Sequence, residues 1–217
     1  MELNLFVYVL LIFCIPYLSY SNFRIKPRKG FSILFISIIS TIILLNFSLL
    51  TVFGTLLLVT TLLIKNKKIY PYFYGSSFTL LNFEIFNILN LNIFDFFLNY
   101  LFPISLVSGV FSSMMIGHWF LVDPTISKEG MKKIAITSTF QSLILTPLVF
   151  FEFIGQDIES IFKNVILILF LSTSILSFAS YKSLGEKSYT GVMASTGLSY
   201  LSLIVSLGAS GGLLLLS

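Results

Sequence analysis

The chain has 217 residues, 56% hydrophobic and only 10% charged, with a net charge of +4 and a mean hydropathy of +0.98. A soluble domain carries about 25% charged residues, so this much apolar side chain would lack polar cover in water, and the expected solvent is lipid. The surplus of cations does not imply nucleic acid, because the basic residues punctuate the apolar runs instead of forming a stripe.

Seven apolar stretches follow one another, at 3–21, 31–64, 70–92, 98–122, 133–154, 161–181 and 190–216. A hydrocarbon core about 30 Å thick takes about 20 helical residues to cross. The stretch 31–64 would be about 51 Å long as one helix. A break at Asn46-Phe47-Ser48 into spans 31–46 and 49–64 fits better. The expected fold is then all-α: one integral-membrane domain, a polytopic transmembrane helical bundle of about eight spans. The first stretch opens with Met1-Glu2 and no basic residue, so it reads as an uncleaved span. Pro16 can kink it. The single Cys14 excludes a disulfide within the chain.

Charge tests the count. With eight spans, the loops 22–30, 65–69, 123–133 and 182–189 share one side. They hold twelve of the thirteen basic residues, leaving Lys163 on the other. The positive-inside rule makes the first side cytoplasmic and puts both termini on the non-cytoplasmic side. Seven spans would place the clusters at 22–30 and 65–68 on opposite faces. The expected location is the plasma (bacterial inner) membrane, multi-pass. The richness in Phe, Ile, Asn and Lys suggests an AT-rich genome.

Taken in chain order, the first residue that demands a reason is Glu84, a carboxylate past the middle of the span 70–92. Such groups are expensive in lipid and face a bundle interior or water. Ser76, Ser77, Asn87 and Asn90 share an arc of about 140° with it on a helical wheel. This candidate polar site could hold a cation, pass protons or bind a headgroup; a protonated Glu84 bonded to a neighbouring helix is the bland alternative. The span 98–122 then carries Ser105, Gly109, Ser113 and Gly117 four residues apart, a ladder that lets helices approach closely.

His118 and Trp119, the only His and Trp, close that span. An interfacial His beside a belt Trp is the structural reading, and a ligand contact or a haem iron the functional one. One His excludes bis-His ligation, so the cofactor is unknown, with haem through His118 the single named option. Asp123-Pro124 marks the helix exit. Gln141 and Glu152, with Pro147 between them, form a second polar candidate on 133–154, with Glu152 near the external end where solvation explains it. In the last span Ser195, Ser199, Ser202 and Ser206 recur at three- and four-residue spacing. This heptad-like seam reads as helix packing, with a polar solute lining as the alternative.

No phosphate loop, CxxC or HExxH occurs, so no metal site and no catalytic residue are assigned. Three functions follow in order of preference. The first is a non-catalytic membrane subunit or assembly factor of a larger complex, for instance a respiratory one, with the bilayer and other membrane subunits or further copies of itself as partners. The second is a small transporter or channel-like protein for a proton, ion or small solute. The third is an enzyme acting on lipid or quinone through His118.

Overall fold

The computed structural model describes residues 3–24, 29–63, 67–90, 92–122, 124, 128–186 and 188–216, and every regular element among them is helical. Among the described residues the main helices run in order: α1 Leu3–Arg24, α2 Lys29–Leu45, α3 Leu49–Leu63, α4 Tyr70–Leu89, α5 Ile93–Val122, α6 Lys128–Phe150, α7 Ser160–Ser183 and α8 Tyr189–Leu216. Helices α5 to α8 are long and apolar enough to cross a membrane, while Leu3–Ser19, Ser32–Leu45 and Leu49–Thr61 form shorter apolar helices.

The chain forms two compact units, Met1–Ile93 and Phe94–Ser217. In the first unit α1 packs on α2 and α4, and α3 packs on α2 and α4. Tyr8, Ile12, Phe35, Leu58, Leu81 and Ile85 lie buried there. Phe13 meets Phe78 edge-on at 5.4 Å, a favourable aromatic geometry. Gly54 makes α3 and α4 close neighbours: a Cβ there would lie 2.9 Å from Leu81 Cγ, and Ser77 Oγ donates to Gly54 O at 2.7 Å.

In the second unit each helix packs on the next, and α8 returns to α5. Its apolar centre gathers Leu106, Val110, Leu145, Val149, Phe170 and Leu213. The start of α5 is wound more widely than an α-helix over Phe96–Leu101, where the Phe102 N–H bonds Phe97 O, five residues back. Pro103 accounts for this locally, because its ring has no N–H and crowds the carbonyl four residues before it. The π-turn carries the helix back to Ile93, so Asp95 sits in its first turn, where a carboxylate suits the helix dipole, and not in the loop expected before residue 98.

The second unit is amphipathic in reverse. On α7 the side chains of Thr173, Ser174, Ser177 and Ser180 are buried, while Ile168 and Ile175 are 62% and 69% exposed. On α8 Ser199, Ser202 and Ser206 are buried and Ile204 is 68% exposed. A helix in water turns its apolar stripe inward. Hydroxyls inside and branched aliphatics outside are the arrangement that lipid favours, since small polar residues pack and bond helix to helix while lipid covers the rest.

A candidate carboxylate site at the break between α2 and α3

The long apolar run is interrupted at Asn46–Ser48, which are not helical. Ser48 starts α3 by accepting the Thr51 N–H on its Oγ at 3.1 Å, the side-chain capping that an open helix end requires. Asn46 keeps its own N–H on Ile42 O at 3.2 Å, which ends α2. Its side chain is thereby turned toward α4.

There Asn46 Nδ2 donates to Glu84 Oε1 at 3.1 Å. The same amide reaches Thr51 Oγ1 at 3.4 Å. Thr51 Oγ1 also accepts from Ser48 Oγ at 3.1 Å and pairs with Tyr8 Oη at 2.7 Å, where either hydroxyl can donate. Thr51 and Tyr8 are almost fully buried, and Glu84 is half-buried. One connected set of groups thus draws on α1, the break, α3 and α4. Among the described residues its one carboxylate is Glu84.

The stripe expected on α4 is not gathered around Glu84. Ser77 is buried against Gly54, and Asn87 and Asn90 are exposed. Asn90 ends α4 in a left-handed conformation, φ 47°, a role that asparagine tolerates better than most residues. Glu84 takes its partners from other helices, and Asn46, Thr51, Tyr8 and Ser48 are site residues that a wheel drawn on α4 cannot find. Asn46 shows in the sequence only as a turn residue.

His118 is exposed and Trp119 half-buried near the end of α5. Asp123 lies outside the described residues, as do Lys26, Arg28, Lys65 and Lys187. The exit from α5 is held instead by its neighbours. Lys128 Nζ donates to Glu186 O at 3.0 Å and Ser188 O at 3.3 Å, and Tyr189 Oη donates to Leu121 O at 3.1 Å. Just inside, Gly117 has no room for a Cβ, which would stand 2.5 Å from Thr196 Oγ1 and 2.9 Å from Met131 Cε.

The other ladder residues, Ser105, Gly109 and Ser113, are buried too, and Gln141 Nε2 donates to Ser105 Oγ at 3.2 Å. On α8, Ser195 and Ser199 pair with Ser180 at 2.7 and 3.3 Å, and Ser202 with Ser177 at 3.0 Å. Ser206 donates within its own helix, to Leu203 O at 3.1 Å.

Glu152 lies beyond the helix expected to carry it: α6 ends at Phe150, two residues earlier. Glu152 takes φ 62°. Its N–H bonds Val149 O at 3.2 Å while the Phe153 N–H bonds Leu148 O at 2.9 Å, the paired closure that usually puts glycine at this position. Lys163 Nζ lies 2.6 Å from Glu152 Oε1. The hydrogen bond and then the charge of Lys163 hold this carboxyl below the usual carboxylate range.

Among the described residues no group of three or more His, Cys, Asp or Glu side chains gathers to hold a metal ion. The fold and its outward-facing aliphatic side chains define a class, the helical bundles with helices long and apolar enough to cross a membrane. Comparison with protein-family models, curated proteins and solved structures finds no match.

Proposed function

We propose that this chain is a multi-pass protein of the plasma (bacterial inner) membrane, with about eight spans and both ends outside, that moves a proton or small cation past Glu84. The single observation carrying the reading is the Asn46–Glu84 hydrogen bond at a break between helices. Broken helices place polar backbone and side chains at membrane depth, and transport sites use such breaks.

The exposed apolar side chains at the break, Leu44, Phe47 and Leu49, suit lipid and support a position at membrane depth. Asn46 also suits a carboxylate that changes charge. Its amide presents two donors on one side and an acceptor on the other. An ionised Glu84 accepts from the NH₂ end, and a protonated Glu84 donates to the carbonyl end once the amide has turned over.

The test is flux. Purified protein in liposomes containing a pH-sensitive dye, under an imposed proton or cation gradient, is expected to transport, and Glu84→Gln to abolish transport with the helical circular dichroism unchanged. Equal flux in wild type and Glu84→Gln removes Glu84 from the mechanism.

The reading as a non-catalytic subunit of a larger complex rests on the small-residue seams, the short loops and the lack of a catalytic constellation. The seams are buried within the second unit, so they do not by themselves argue for an outside partner. Stoichiometric co-purification of a second membrane protein in mild detergent would reinstate it.

A further inference from the structure

We propose that a small cavity inside the second unit is a binding site for one ordered water molecule. It is lined by Val110 and Ser113 of α5, Ala135 and Ser138 of α6, Ser177 and Ser180 of α7, and Ser199 and Ser202 of α8. Six of these eight residues are serines, drawn from all four helices. The space open to a water's centre is about 10 Å³, the room that one water needs.

Spare hydrogen-bonding capacity points to the occupant. Ser177 and Ser202 satisfy each other at 3.0 Å, and Ser180 reaches Ser195 Oγ at 2.7 Å and Ser199 Oγ at 3.3 Å. Ser113 and Ser138, 3% and 1% exposed, have no partner for their hydroxyls. A buried hydroxyl without a partner carries the whole cost of its desolvation. On the same helix as Ser113, Ser108 avoids that cost by bonding a carbonyl one turn back, Ile104 O at 2.9 Å. Two orphan hydroxyls on different helices, facing one water-sized space, are the polar partners that a bridging water requires.

The chemistry selects a neutral guest. Every polar group named in the lining is a hydroxyl, able to donate as well as accept, and no carboxylate lines the cavity to offset a cation's charge. The water completes the hydrogen bonding of α5 and α6 against the serine seam of α7 and α8. This site is independent of Glu84, which lies in the other unit.

The wet and dry cavities predict opposite signs. With water bound, Ser113→Ala and Ser138→Ala each remove a partner of the same molecule. Each is expected to lower Tm of the full chain in lipid nanodiscs by about 2–4 °C, and the double variant to lose less than the sum. In a dry cavity either change deletes an orphan hydroxyl and raises Tm. Ser112→Ala is the reference, since its hydroxyl is also orphaned but does not line the cavity. A raised or unchanged Tm in the single variants, or an additive double variant, overturns the proposal. So does an empty cavity in an experimental structure of the wild-type chain resolved well enough to show other buried waters.

Discussion

Asn46 and Glu84 lie 38 residues apart in sequence, and their side chains meet at 3.1 Å. The contact joins the break between α2 and α3 to the C-terminal half of α4. It makes the break more than a turn, because the same amide and Thr51 tie the carboxylate to Tyr8 on α1.

Removing the amide should therefore cost stability as well as transport. Asn46→Ala leaves Glu84 without this partner, and a loss of about 1–3 kcal/mol is expected. Thermal unfolding followed by circular dichroism measures it. Thr51→Val, which keeps the shape and deletes the hydroxyl at the junction of three bonds, should cost a similar amount. Full wild-type stability in both variants would show that the network contributes nothing.

Gly117 should tolerate no larger residue. Gly117→Ala drives a methyl group into Thr196 and Met131, and overpacking of this kind costs about 1–3 kcal/mol. Gly197 has open space where its Cβ would stand, so Gly197→Ala should be neutral or slightly stabilising through helix propensity. Paired Tm measurements on the two variants separate a close approach from a general dislike of alanine.

The serine seam should be worth more in packing than in hydrogen bonding. Ser180→Ala removes bonds to Ser195 and Ser199, and hydrogen bonds between membrane helices average about 0.6 kcal/mol with a maximum near 1.7. Ser180→Leu has the same loss plus a volume that the interface cannot hold. The leucine variant should be much the less stable on detergent unfolding, and equal losses would contradict the close packing of α7 and α8.

Acid should weaken the turn after α6. Lys163 depresses the folded-state pKa of Glu152, so the pair stabilises fully above the ordinary carboxylate pKa. That contribution is lost as pH falls through the depressed folded value. With Glu152 exposed, the pair contributes little. Wild type and Lys163→Met should have Tm curves that differ near neutral pH and converge in acid, and a constant offset down to low pH would remove the pair from the balance.

Orientation has a direct test. Lys163 and Lys182 stand near opposite ends of α7. With Cys14 replaced, Lys163→Cys should react with a membrane-impermeant maleimide from outside intact cells and Lys182→Cys only after lysis. Labelling of both from one side would show that α7 does not cross.

Much of this molecule can be read directly from residue order, because lipid imposes one simple demand along the chain: backbone groups must bond within helices, and side chains in contact with lipid must be apolar. That demand sets the helical class and points to the break at Asn46–Ser48 and the small-residue spacing of Ser195 to Ser206. It is a one-dimensional rule, so a one-dimensional text carries it. The partners of Glu84 follow from no such rule. A wheel drawn on α4 ranks Ser77, Asn87 and Asn90 as neighbours, yet packing directs Ser77 to Gly54 and leaves both asparagines exposed. Asn46 and Tyr8 reach the network because α1, α2, α3 and α4 enclose a common core. The orphan hydroxyls of Ser113 and Ser138 are equally silent in sequence, since whether a serine finds a carbonyl, a second hydroxyl or a water depends on what the facing helix presents at that depth.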